Sequence, residues 1–157
     1  MSSPRGLANH HLYLARLVLA AWQRDVAAAE VPASTLAAAF GPACQAHLLR
    51  AYGWFLLAVS NPPELPATLP GRVADLPSPP EGRAISGELR EFEQLEKSGW
   101  LAELLAWQVA TPGGGARRSF GNLASGADAP AGPEHFGQWA GQLEARFARM
   151  GDALDEY

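Results

Sequence analysis

From Ala8 onward, apolar residues return every three or four positions: Ala8, Leu12, Ala15, Leu19, Trp22, Val26 and Ala29. Leu7, Leu14, Val18 and Ala21 run beside that stripe, and Asn9, Tyr13, Arg16, Gln23 and Glu30 fall opposite. An apolar face and a polar face at a 3.6-residue period predict an amphipathic helix buried on one side. Ser3-Pro4 supplies its start, a hydroxyl cap followed by proline at a first-turn position that needs no N–H. The helix is expected to end before Pro32.

The stretch Pro42–Ser60 has a different pattern. It is apolar on almost every side of a helix, with His47 and Arg50 as its only chargeable members. A helix of that kind is expected to be covered by neighbours on several faces. Cys44, Leu48, Ala51, Phe55 and Ala58 make one stripe, and Leu49, Tyr52, Leu56 and Val59 another. Gly53 costs about 1 kcal/mol against alanine in mid-helix, which predicts the close approach of another helix there. Upstream, Ser34 is expected to cap a short turn reaching Phe40, with Gly41-Pro42 breaking the chain before the long helix begins.

Seven of the thirteen prolines fall between Asn61 and Pro80. That segment reads as an extended surface connection with one short turn at Arg72–Leu76. Ser86 then caps a helix, with Glu88 and Glu91 near its positive end and Leu89, Phe92 and Leu95 along one side. Ser98-Gly99 interrupts it, and Trp100, Leu101, Leu104 and Leu105 continue. Thr111 to Gly132 is Gly- and Ala-rich and irregular. Pro133 opens a final helix marked by Phe136, Trp139, Leu143, Phe147, Met150 and Leu154. No segment alternates as a strand does. The expected architecture is one all-α domain spanning residues 1–157, an antiparallel four-helix bundle. Two long connections join its parts, a Pro-rich one at about 61–85 and a Gly-rich one at about 111–132.

Composition narrows the function classes. Apolar residues form 48% of the 157 and charged residues 18%, a globular balance rather than a disordered one. A net charge of −4, with no basic tail, argues against a nucleic-acid partner. His47 and Arg50 in mid-segment, and the lack of a second unbroken apolar run, argue against a membrane span. The opening MSSPRGLANHH does not read as a signal peptide, so the expected setting is cytoplasmic. Cys44 is the single cysteine and reads as an inert core thiol.

The residues Asn9-His10-His11-Leu12-Tyr13-Leu14-Ala15, with Trp22 seven positions on, carry a resemblance. They are similar to the opening of a family of small helical proteins from pseudomonads and their relatives, known only as a domain of unknown function. His47-Leu48 with Ala51-Tyr52 resembles that family's second helix. Ser86-Gly87-Glu88-Leu89 through Gly99-Trp100-Leu101-Ala102 resembles its third, and Leu154-Asp155-Glu156-Tyr157 its end. The resemblance implies a helical fold and carries over no catalytic residue.

Candidate chemistry starts with His10, His11, His47 and His135, spread over three helices. His47 with Glu134 and His135 is the best metal set, as in a divalent-metal bundle enzyme of the DinB type. The chain lacks the His-x-x-x-His or Glu-x-x-His spacing that would make it strong, and no cofactor is called for. Arg50 cannot deprotonate, so it must pair with a carboxylate that fixes helix register, reach water, or bind an anionic ligand. Asn9 and Tyr13 are expected to face His47 and Arg50 across the helix seam, giving the candidate ligand-binding cluster. Thr111–Arg118 invites a phosphate-loop reading but has no Gly-Lys-Ser/Thr and no preceding strand, so a linker is expected. Arg5 and His10 match the Arg-x4-His spacing of HEPN-type ribonucleases, a signal without weight alone. Cys44 and His47, one turn apart, read as packing rather than a nucleophile pair. The expected function is non-enzymatic, a protein that self-associates as a homodimer or binds a protein partner. A metal-dependent enzyme and an anion binder at Arg50 are the alternatives.

Overall fold

Every regular element in the computed structural model is helical. It describes residues 2–79, 85–109 and 131–155, with side chains described through 152. The elements are α1 (Pro4–Ala28), α2 (Ala33–Ser60), a 3-10 turn (Val73–Asp75), α3 (Gly87–Lys97), α4 (Trp100–Ala106) and α5 (Pro133–Asp155). No described helix is long and apolar enough to cross a membrane. The glycine-rich run Thr111–Arg118, read above as a linker, lies outside the described residues.

Helix α1 follows its pattern. Ser3 Oγ accepts the Gly6 N–H at 3.0 Å, and Ala8, Leu12, Ala15, Leu19 and Trp22 are buried. The stripe ends there, because Val26 and Ala29 are exposed. Ala29 turns the chain with a left-handed φ of 55°. Helix α2 then returns antiparallel along α1. His11 lies against His47, the Cys44 thiol faces the Ala15 carbonyl at 3.9 Å, and Trp22 stacks on Phe40.

Gly41-Pro42 does not break the chain, contrary to the sequence expectation. Residues 33 to 60 form one helix with Pro42 inside it. Two contacts explain this. Gly41 is buried under the Trp107 indole, where a Cβ would lie 2.4 Å from a ring carbon. Pro42 and Ala38 are exposed, so water can reach the carbonyl that loses its N–H partner.

The close approach predicted at Gly53 is real, but the neighbour is the Pro-rich connection rather than a helix. A Cβ on Gly53 would stand 2.6 Å from the Pro70 carbonyl oxygen and 2.7 Å from Leu69 Cγ. The connection therefore covers the far half of α2, where residues 51 to 53 and 55 to 57 are all buried. A carboxylate fastens it. Glu96 Oε1 accepts the Val73 N–H at 2.8 Å and the hydroxyl proton of Tyr52.

Helices α3 and α4 together run back along α2. Phe92 packs edge-on against Tyr52 and Phe55, while the Gln45 amide donates to the Leu104 and Trp107 carbonyls at 3.0 and 2.9 Å. Gly99, at φ 108°, makes the break between them. Helix α5 closes the core. Phe147 stacks on Phe55 at 4.0 Å, Phe136 meets Trp22 and Trp107, and Arg146 lies over Trp100. Exposed ion pairs of Glu144 with Arg16 and of Glu91 with Arg149 decorate this frame and add little to it.

Candidate functional site

The α1–α2 seam gathers three imidazoles and a guanidinium. The heptad phase of α1 puts His11 at the edge of the buried stripe, one turn from Ala8 and Ala15, and α2 brings His47 opposite. Their rings stack at 5.8 Å with 27° between planes, and His10 meets His11 edge-on at 5.9 Å. Nδ1 of His11 and Nδ1 of His47 are both sealed from water with no hydrogen-bond partner. Burial holds both rings below the ordinary histidine pKa. For His11 the nearby His47, Arg50 and His10 add to the effect, and for His47 Arg50 and His10 do. Among the described residues, the charged groups acting on this pair are all basic ones.

Arg50 is exposed and carries no hydrogen bond or ion pair among the described residues. The register-fixing ion pair expected from sequence is therefore replaced by a solvated guanidinium. Asn9 and Tyr13 are also exposed, on the outer arc of α1, with no bond to His47 or Arg50. His10 and His11 take the place foreseen for them.

The proposed metal set is not brought together. Among the described residues no three His, Cys, Asp or Glu side chains form a group able to hold a metal. His47 contacts the α1 histidines. His135 lies at the start of α5, where its Nδ1 accepts the Gly132 N–H at 3.4 Å and its ring leans on Trp139. Cys44 is buried beneath Ala15, and burial pushes its thiol pKa up to about 12, so it is a packing group at neutral pH.

No family model, curated protein or solved structure matches this chain. Function is therefore read from geometry alone, and a second feature of the hairpin bears on it. The solvent side of the first half of α2 carries Ala33, Ser34, Thr35, Ala38, Ala39, Pro42 and Ala43, all exposed. From Val31 to Ala46 there is no charged residue. On α1, Tyr13 and Leu17, one turn apart, are 59% and 49% exposed, and Val26 and Val31 are exposed at the hairpin tip. The all-round coverage expected of α2 is thus present beyond Ala51 and missing before it.

A groove of about 700 Å³ lies between the end of α2, the Pro-rich connection and the start of α3. Its walls include Val59, Pro62, Leu76, Pro77 and Leu89. Ser60 Oγ, also in its wall, has no partner. The sequence reading did not anticipate this groove, because the path of a proline-rich segment leaves no periodic trace.

Proposed function

We propose that this chain is a cytoplasmic, non-enzymatic helical protein that associates with a second copy of itself through the outer side of the α1–α2 hairpin. Its framework is an antiparallel four-helix bundle, with α3 and α4 acting as one broken rod. The observation that carries the reading is the uncharged, alanine-lined solvent side of α2. Soluble helices ordinarily place charged residues on the side facing water. Small side chains there instead allow another helix to approach closely, and Leu17 and Tyr13 supply larger apolar surface next to them.

Sedimentation velocity over a concentration series tests the reading. The native chain is expected to dimerise, and Ala39→Glu or Leu17→Glu to shift it to monomer. Both positions are exposed, so the helical content seen by circular dichroism should stay unchanged in the variants, while melting loses any dependence on protein concentration. A native chain that remains monomeric at the highest concentration, and captures no partner, overturns the proposal. So does a dimer that both variants leave intact.

A further inference from the structure

The seam cluster has an imbalance that self-association does not explain. Its members are all hydrogen-bond donors with nothing to accept from them. In a neutral imidazole one nitrogen holds the proton and the other accepts. A proton on the sealed Nδ1 of His11 or His47 would be a buried donor without a partner, the rarer and costlier kind of orphan. The proton therefore belongs on Nε2, the ring nitrogen of each that is left open to water. Arg50, exposed and one helical turn beyond His47 on α2, acts on both rings, and His10 meets His11 edge-on.

Among the described residues no carboxylate acts on the two rings or pairs with Arg50. Among the described residues Arg16 pairs with Glu144, and Arg146 and Arg149 with Glu91, while Arg50, like Arg24 and Arg90, pairs with no carboxylate; what sets Arg50 apart is the pair of histidine rings it acts on. At the seam the positive charge and the outward donors are uncompensated. An oxyanion supplies what is missing, a negative charge and several acceptor oxygens at once. A tetrahedral phosphate serves three donors from two helices better than a two-oxygen carboxylate can, and a guanidinium matches its edge.

We infer that the α1–α2 seam is a binding site for a small phosphate-class oxyanion, held by the Arg50 guanidinium and the Nε2–H groups of His11 and His47. The site is built within one chain, so it stands or falls independently of dimerisation. Bound anion would favour the charged form of both rings, reversing the direction in which burial and the neighbouring cations now push them.

The test is a titration of the histidine ring resonances by NMR with inorganic phosphate, against chloride at matched ionic strength. His135, whose contacts lie at the start of α5, is the internal control. The expected result is saturable shifts for His11 and His47 with a Kd of about 1 mM, and no saturation for His135. The pKa values of His11 and His47 should rise in phosphate. Arg50→Gln, at an exposed position, should weaken binding at least about tenfold while leaving the fold intact. Sulfate, a dianion that does not titrate near neutrality, should reproduce the shifts. The inference is overturned if phosphate moves all histidines equally and without saturation, if chloride does the same, or if Arg50→Gln binds as the native chain does.

Discussion

Replacing Gly53 by alanine sets two effects of opposite sign against each other at one atom. Gly53 is in the interior of α2, where alanine gains about 1 kcal/mol of intrinsic helix stability. The added Cβ would stand 2.6 Å from the Pro70 carbonyl oxygen and 2.7 Å from Leu69 Cγ, inside any real contact distance. The oxygen is backbone, so relief requires the connection itself to lift, and overpacking of this kind costs about 1–3 kcal/mol. A clash with backbone places the cost in the upper part of that range, leaving Gly53→Ala about 1–2 kcal/mol less stable than native. Gly137 in α5 is the matched control, because nothing stands within 4 Å of its Cβ. Gly137→Ala keeps only the favourable term and should be more stable by up to about 1 kcal/mol. The two variants then differ by about 2–3 kcal/mol, or at least about 4 °C in melting temperature for a chain of this size. Urea unfolding followed by circular dichroism measures both. If Gly53→Ala is stabilised as Gly137→Ala is, the connection does not rest on α2 and the account of that contact is wrong.

Other predictions follow from buried groups. Burial, reinforced by the hydrogen bond to Glu96, pushes the Tyr52 phenol far above its ordinary pKa. Unfolded chains then lose this proton near pH 10 while folded ones keep it, so stability should fall as pH rises past that point, and Tyr52→Phe should flatten the fall in denaturant titrations at high pH. Glu96→Ala, which leaves the Tyr52 hydroxyl and the Val73 N–H without their acceptor, should cost about 1–3 kcal/mol, and adding Tyr52→Phe should recover part of it. His11 and His47, held below their ordinary pKa, resist protonation in the fold, so stability should decline as pH drops below about 6.5, less steeply in His47→Gln. The Cys44 thiol should react with a disulfide reagent at pH 8 only as fast as the chain unfolds; rapid labelling of native protein would show it is not sealed.

Much of the fold was legible because burial follows helical phase. The α1 stripe from Ala8 to Trp22 and the α5 stripe from Phe136 to Met150 are buried as their periods predict. The Gly41-Pro42 break was misread because a local stop signal competes with a tertiary contact, the Trp107 indole seated on Gly41. No local pattern reveals that partner, 66 positions away, and the same holds for Leu69 and Pro70 over Gly53. At the seam, His47 and Arg50 were legible as polar intrusions in an apolar helix. Their partners were misassigned, although phase contained the correction. Asn9 and Tyr13 already belonged to the polar arc of α1, whereas His11 lies three positions after Ala8 and four before Ala15, at the margin of the buried stripe. The uncharged outer side of α2 is present in the sequence as sixteen residues without a charge, from Val31 to Ala46, but the expected turn and break at Ser34–Pro42 hide that they belong to one helix side.

The amide of Gln45 reaches across from α2 and donates to the carbonyls of Leu104 and Trp107, which finish α4. A helix of seven residues has almost no tendency to persist unaided in water. Its order is therefore borrowed from a neighbour that lies far away in sequence. Hydrogen exchange should treat residues 100 to 106 and the middle of α2 as one cooperative unit, opening together. Removing this polar tether by Gln45→Ala, with Leu101 and Leu104 still buried in the core, should let the short rod open more often than the rest of the molecule.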